Sequence, residues 1–182
     1  LTTEDYNVPN YDLAAGEIDA NFFQHIPFME EEIREFHYPL ESVAKIEIEP
    51  MGLYSKKYRS ISDLPSGAKI GIPNDRSNQS RALRILQDHD LIKLDDLDEF
   101  GPTILSIKEN EKDLQFIELF AISLPSVLDD LAGAFINANF AIDAGLSMDE
   151  LLLREDPRSD RYANVLVVKS GQAGRRDIQT LK

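Results

Sequence analysis

Blocks of helical and strand-like periodicity alternate along the chain, with no internal repeat and no low-complexity tract. "VPNYDLAAGEID" predicts a short helix closed by Gly16, where glycine takes the left-handed cap at least cost. "IDANF" follows as a short strand, and Pro27 suits the first turn of the next helix. That helix has an apolar stripe of Ile26, Met29, Ile33 and Phe36, with Glu30, Glu31, Glu32 and Arg34 on a wet face. In "ESVAKIEIEP", Ala44, Ile46 and Ile48 alternate with Lys45, Glu47 and Glu49, the pattern of a half-buried strand that "MGLYS" could extend. After the turn-rich "ISDLPSG", "AKIGI" predicts a strand. "DRSNQSRALRILQDH" predicts a helix with Asp75 or Ser77 as N-cap. "LQFIEL" and "AGAFIN" read as strands, and "NANFAIDAGL" and "SMDELLLRE" as helices. "YANVLVVKSG" has the continuous apolar run of a buried parallel strand, and a last helix begins near Gly174. Alternation of this kind predicts an α/β protein with largely parallel sheets, in which ligands bind beyond the carboxyl ends of strands. "NFFQH", "IPNDRSNQSR" and "INANF" fall at such ends.

Composition narrows the function. The 182 residues suffice for one large domain or two small lobes, and 42% hydrophobic content can fill a core. Nineteen basic against 33 acidic residues give a formal charge of −14, which argues against nucleic acid and against a face lying on an anionic membrane. The absence of cysteine removes disulfides, thiolate catalysis and cysteine-bound zinc. No run of about 18 apolar residues predicts a membrane span, and "LTTEDYNVPN" has no basic n-region of a signal peptide.

Three stretches carry candidate chemistry. "IPNDRSNQSRAL" leaves a strand and opens a helix, whose N–H groups attract anions, and Arg81 one turn inside could grip a carboxylate in bidentate fashion. The plainer reading is that Asn74, Asp75, Ser77 and Asn78 only make the turn and the cap. Asn137, at a strand end, has the donor and acceptor to meet either end of a zwitterion, or caps the next helix. Asn164 stands in or just before a buried strand and needs a partner. In "ANFFQHIPF", strand geometry would send Phe22 and Phe23 to opposite faces. His25 there reads as a ligand-pocket wall, a metal ligand or a satisfied core histidine. With three histidines and no HxxxH or HExxH spacing, no metal site is expected. No GxSxG elbow and no serine–histidine pairing support nucleophilic catalysis, and "LDDLDEF" reads as a solvated face. No cofactor and no enzymatic reaction centre is expected.

In order along the chain come "YDLAAGEIDANFFQHIPF", "VAKIEIEPMGLYSKKYRSISDLPSGAKIGIPND", "SNQSRALRILQDHDLIKL", "SLPSVLDDLAGAFINANFAIDAGL" and "EDPRSDRYANVLVVKSG". Together they closely resemble the NlpA/MetQ family, the methionine-binding lipoproteins of bacterial ABC importers. "DANFFQHIPF" and "EPMGLYSKK" are its most specific segments. The resemblance implies a type II periplasmic-binding-protein fold, with two α/β lobes joined by two hinge strands and the ligand in the cleft between them. It implies that Tyr6, Phe23, His25 and Phe28 line the pocket for the methionine tail, that Arg81 holds the carboxylate, and that Asn137 and Asn164 hold the polar end. A thioether favours aromatic surroundings, which would account for the aromatic cluster, with Gln24 and His25 as supporting polar elements. Phe28 and Phe140 stand where the family commonly has tyrosine, Arg76 where it has proline and Ser126 where it has arginine.

The expected organisation is lobe I from residues 1–53 and 155–182, with lobe II from 54–154. The resemblance further implies that lobe I is incomplete in this chain and that the signal peptide and lipid-anchored cysteine lie outside it. The expected function is the substrate-binding component of an ABC importer, delivering methionine to a membrane permease and ATPase complex. Its expected place is the cell envelope, as a membrane-anchored lipoprotein facing the periplasm or exterior. Other readings are the effector domain of a transcription regulator, which shares the fold, and a surface antigen fragment that no longer binds.

Overall fold

Gly16 takes φ +87° and ends the first helix as the pattern requires, its N–H reaching the carbonyls of Asp12 and Leu13. The computed structural model describes residues 6–95, 101–156, 158 and 160–181. Within these, the elements in chain order are α1 (Val8–Ala15), β1 (Asn21–His25), α2 (Ile26–Phe36), β2 (Leu40–Ile48), β3 (Gly52–Tyr54), β4 (Lys69–Pro73), α3 (Arg76–Asp88), β5 (Ile92–Leu94), β6 (Ile107–Asn110), β7 (Gln115–Leu119), β8 (Gly133–Ile136), α4 (Ala138–Asp143), β9 (Leu151–Arg154), β10 (Ala163–Lys169) and α5 (Arg176–Thr180). Two units divide them, Leu1–Glu49 with Pro157–Lys182, and Pro50–Asp156. Of the acidic run read as a solvated face, residues 96–100 lie outside the described residues, as do Pro157 and Ser159.

The first unit is built on a sheet ordered β1–β10–β2, with β10 antiparallel to both neighbours. This corrects the reading of "YANVLVVKSG" as a parallel strand. Every position from Ala163 to Val168 is buried, and burial on both faces produces a continuous apolar run whatever the direction of the neighbours. Leu13, Met29, Leu40, Val165 and Val167 form its core. The alternation read in β2 fails at Ile46, which is 45% exposed. Glu47 pairs with Asn164 and Lys45 with Val165, so Ile46 is the extra residue of a bulge, and a bulge resets which face each side chain takes. On α2 the stripe is shifted: Phe36 is exposed and Glu32 is buried, against expectation. Phe36 instead stacks on Tyr38, their ring centroids 5.4 Å apart. Burial, then the nearby charge of Glu32, raises the Tyr38 pKa.

The second unit contains a five-stranded sheet ordered β7–β4–β8–β3–β9 and a two-stranded antiparallel sheet of β5 and β6. The β7–β4 and β4–β8 pairs are parallel, while β3 is antiparallel to both β8 and β9. The expectation of largely parallel sheets is therefore wrong. "MGLYS" does not extend β2 but supplies β3 to this different sheet. "SMDELLLRE" is not a helix either: a single 3-10 turn at Met148–Glu150, capped by Ser147, leads into β9. Leu151 to Leu153 are pulled into strand pairing with β3 because only there can they bury their apolar side chains. Met51, Leu53, Ile70, Leu83, Leu86 and Phe135 anchor the core.

Gly133, at the start of β8, approaches β3 closely. A Cβ there would stand 2.9 Å from the Tyr54 carbonyl oxygen and 3.2 Å from Leu53 Cδ1. β3 is held on both edges and cannot yield. Gly133→Ala is expected to lower the unfolding free energy by about 1–3 kcal/mol. Gly174→Ala, where nothing lies within 4 Å, serves as the neutral control in denaturant unfolding.

Candidate functional site

In the first unit, Tyr6, Phe23 and Phe28 form a triangle of rings. Centroid separations are 5.8 Å for Tyr6–Phe23, 5.8 Å for Tyr6–Phe28 and 5.9 Å for Phe23–Phe28, with tilted or edge-on geometry. Such arrangements pair ring edges with ring faces, as the aromatic quadrupole prefers. Phe23 does not reach this cluster by simple alternation. Phe22 pairs with Leu166 and Gln24 with Val165, so Phe23 is the extra residue of a second bulge, which re-aims its side chain while Phe22 stays exposed.

A closed amide network holds this bulge. Gln24 Nε2 donates to Asn10 Oδ1 at 2.6 Å and to Asn21 Oδ1 at 3.0 Å, and Asn10 Nδ2 donates to Gln24 Oε1 at 2.9 Å. Asn21 Nδ2 donates to Asn10 Oδ1 at 3.0 Å and to the Pro9 carbonyl at 3.2 Å. All three side chains are buried. They lock β1 to α1 and set the ends of the strand.

His25 has a structural role in the helix that follows it. It is the N-cap of α2, with Nδ1 accepting from the Phe28 N–H at 3.2 Å. In the neutral ring that leaves the proton on Nε2. It is also part of the aromatic cluster, 6.3 Å from the Phe28 centroid and 5.1 Å from that of Tyr162. Tyr162 was missed in the sequence reading. It is buried, with the Arg161 guanidinium 5.7 Å from its ring centroid. Its signal was present in "YAN", one residue before β10, but only the asparagine there was singled out. Asn164 is buried within β10 opposite His25, and its Nδ2 donates to Glu49 Oε2 at 2.8 Å.

In the second unit, the start of α3 is organised by Asp75. Its Oδ1 accepts from the Asn78 N–H at 2.9 Å, from Asn78 Nδ2 at 2.9 Å and from the Ser77 hydroxyl at 3.0 Å. Asp75, not Ser77, is the cap. Burial raises its pKa above the ordinary carboxylate value, against these hydrogen bonds, which lower it. Arg76 Nη2 donates to the Gly101 carbonyl at 3.2 Å. Arg81 is held by Glu155: Nε donates to both carboxylate oxygens at 3.0 and 3.1 Å, and Nη2 to Oε2 at 2.6 Å. Their side chains are 3% and 9% exposed. Glu155 Oε2 also accepts from the Met51 N–H at 3.4 Å. Asn137, at the end of β8, donates through Nδ2 to Asn78 Oδ1 at 3.0 Å, while its Oδ1 is buried with no hydrogen-bond partner among the described residues. Asn137 sits at the α4 N-cap position but makes no side-chain capping bond.

The structure thus gathers Tyr6, Phe23, His25 and Phe28 within one unit. It places Asn164 beside His25 on the paired strand. In the other unit it joins Asn137 to the α3 face that carries Arg81.

The family model for the NlpA lipoproteins matches residues 2–182. The chain belongs to that family. It is 40% identical over 171 residues to the D-methionine-binding lipoprotein MetQ of Salmonella typhi, covering 93% of this chain and 63% of the relative. Among solved structures it superposes with a TM-score of 0.94 on a periplasmic substrate-binding protein of an ABC transporter from Coxiella burnetii, at 42% identity, over 100% of this chain and 76% of that one. A nutrient-binding protein from Burkholderia cenocepacia bound to methionine gives 0.92 at 39% identity, over 97% of this chain and 75% of that one. The fold is the mixed α/β fold of periplasmic substrate-binding proteins. The chain spans about two thirds of the length of the curated relatives it matches, 66% and 63% for two of them.

Two outcomes are expected from these contacts. Arg81→Ala leaves the Glu155 carboxylate buried and uncompensated, and should cost the second unit roughly 3–5 kcal/mol in denaturant unfolding. The double change Arg81→Met with Glu155→Leu should recover most of that, because it removes both charges and keeps volume. The second outcome concerns pH. Asp75 has a raised folded-state pKa, so the native state holds its proton to higher pH than the unfolded chain. Its contribution is fully present below the ordinary carboxylate pKa and is lost as pH rises through the raised one. The stability difference between wild type and Asp75→Asn should therefore move against wild type across that window, measured by denaturant unfolding at stepped pH.

Proposed function

We propose that this chain is the ligand-binding part of a substrate-binding lipoprotein of a bacterial ABC importer, and that its ligand is methionine. The observation that carries the ligand assignment is the triangle of Tyr6, Phe23 and Phe28 with the buried ring of His25 against it. Sulfur in a thioether is polarizable and gains from contact with aromatic edges. A branched or charged side chain would gain less from the same surroundings. The names of the relatives support the choice: one is called D-methionine-binding, and one solved neighbour is described as bound to methionine.

Arg81, Asn137 and Asn164 are the proposed contacts of the zwitterionic end. Arg81 supports this because Glu155 holds its guanidinium in one orientation, so a ligand carboxylate would meet a cation already fixed in place. Asn137 supports it through its buried, unmatched Oδ1. The partners that follow from the family are an ABC permease and ATPase complex, and the place that follows is the cell envelope, with the whole protein anchored by lipid. Among the described residues no helix is long and apolar enough to cross a membrane. The role proposed is binding and delivery, without chemistry on the ligand.

Calorimetric titration of the intact protein tests the ligand. Norleucine keeps the shape of methionine and lacks the sulfur, and should bind a few-fold to about tenfold more weakly. Glutamine and methionine sulfoxide carry polar groups into apolar surroundings at a cost of roughly 1–3 kcal/mol, and should bind more weakly still. The sulfoxide should lose less than glutamine if His25 Nε2 donates to it. Phe23→Ala should weaken methionine by about tenfold or more through lost ring contact. Equal competition by glutamine and methionine would remove the aromatic cluster as a tail pocket.

A further inference from the structure

The two amide atoms of Asn137 meet different fates. Nδ2 donates to Asn78 Oδ1 at 3.0 Å, and Oδ1 is buried without a partner among the described residues. Asn137 is 8% exposed, so water outside does not account for that oxygen. Leaving a buried acceptor unmatched costs more than an ordinary hydrogen bond returns, so the amide should turn over unless something prevents it. What prevents it is Asn78, and what orients Asn78 is Asp75. Asp75 Oδ1 already accepts the Asn78 backbone N–H and the Ser77 hydroxyl, so it can act toward the Asn78 side chain only as an acceptor. The NH2 of Asn78 must face it, at 2.9 Å. The oxygen of Asn78 is then turned to Asn137, which must answer with its own NH2. The relay ends on an acceptor.

We propose that Asp75 and Asn78 are positioning residues that fix the Asn137 amide with its oxygen outward, and so make the site select a ligand bearing a protonated amine. The inference rests on the reading of Asn137 as a ligand contact. Were the amide reversed, an NH2 group would face the ligand amine and repel it. Cooperative polarisation along a hydrogen-bond chain that starts at a carboxylate strengthens the terminal oxygen as an acceptor.

The test compares methionine with 4-(methylsulfanyl)butanoic acid, which keeps the thioether and the carboxylate and lacks the amine. In calorimetric titration the intact wild type should prefer methionine by about tenfold or more, as expected for a hydrogen bond to a charged group. Asn78→Ala and Asp75→Ala should each shrink that ratio toward one, because Asn137 is then able to turn. Asp75→Asn, which keeps an oxygen for the Asn78 N–H and NH2, should retain it. Loss of the cap alone would lower the melting temperature of Asp75→Ala and weaken both ligands alike, leaving the ratio unchanged. If Asp75→Ala does not fold, Asn78→Ala decides, since it keeps the cap and places a good helix former in α3. An unchanged ratio in Asn78→Ala overturns the inference, as does an unchanged ratio in Asn137→Ala. Failure of the wild type to bind methionine at all overturns the ligand reading on which it rests, and is told apart by that.

Discussion

The guanidinium of Arg81 and the carboxylate of Glu155 meet inside the second unit, and the geometry around them follows from the need to satisfy two charges taken out of water. Desolvating such a pair is costly, so it persists only with near-complete hydrogen bonding. Two guanidinium nitrogens reach the carboxylate, and the Met51 N–H adds a further donor. The backbone repeats the link, with the Glu155 N–H donating to the Met51 carbonyl at 3.0 Å. One ion pair thereby ties α3 to the approach to β3 and to the end of β9. Once α3 is fixed in rotation and depth, Asp75 and Asn78 at its start have one place to be. Asn78 then meets Asn137 at the end of β8. A hydrophobic pair at the same positions could match the stability, but it would not set the helix to a single register with the same sharpness.

The first unit reaches its local precision by another route. There the amides of Asn10, Asn21 and Gln24 bond one another. That network pins a bulged strand, the bulge turns Phe23 toward Tyr6 and Phe28, and the strand ends on a histidine that caps the next helix. The cap matters for the rings as well as for α2. By accepting the Phe28 N–H, His25 fixes its own plane and leaves its edge against Phe28 and its ring near Tyr162. Rings held this way lose little freedom when something packs against them, which is what an apolar site needs to be selective.

Short-range signals in the sequence carried most of what was legible. Gly16 and Pro27 marked helix ends correctly, and the cap left between Asp75 and Ser77 falls on Asp75, because caps are decided by a few neighbouring residues. The aromatic cluster was legible because its members Phe23, His25 and Phe28 lie within six residues, and the family resemblance supplied Tyr6. Strand direction was not legible: a run such as Ala163–Val168 reports burial, and burial is equally compatible with either pairing. The bulges at Phe23 and Ile46 were invisible for a related reason, since alternation presumes one residue opposite one residue. Glu155 could not be assigned to Arg81 because 74 positions separate them and nothing local distinguishes a buried glutamate from a solvated one. Glu32 makes the same point, counted on a wet face and found buried.

The two polar networks differ in how they end, and the difference bears on the proposed roles of their residues. Every side-chain amide atom of Asn10, Asn21 and Gln24 has a partner, so that network is complete and specifies only the packing of β1 on α1. The relay from Asp75 through Asn78 is complete at each step but the last, where Asn137 Oδ1 is buried and unmatched among the described residues. Folding alone would favour closing it, because a single apolar substitution at Asn137 would remove the orphan oxygen and its cost. A chain that keeps the open end therefore carries a standing penalty in the unliganded fold. Under the proposed reading of Asn137 as a ligand contact, that penalty is recovered when a ligand donor reaches the oxygen, and this coupling is what would make an open-ended network a binding device where a closed one is structural.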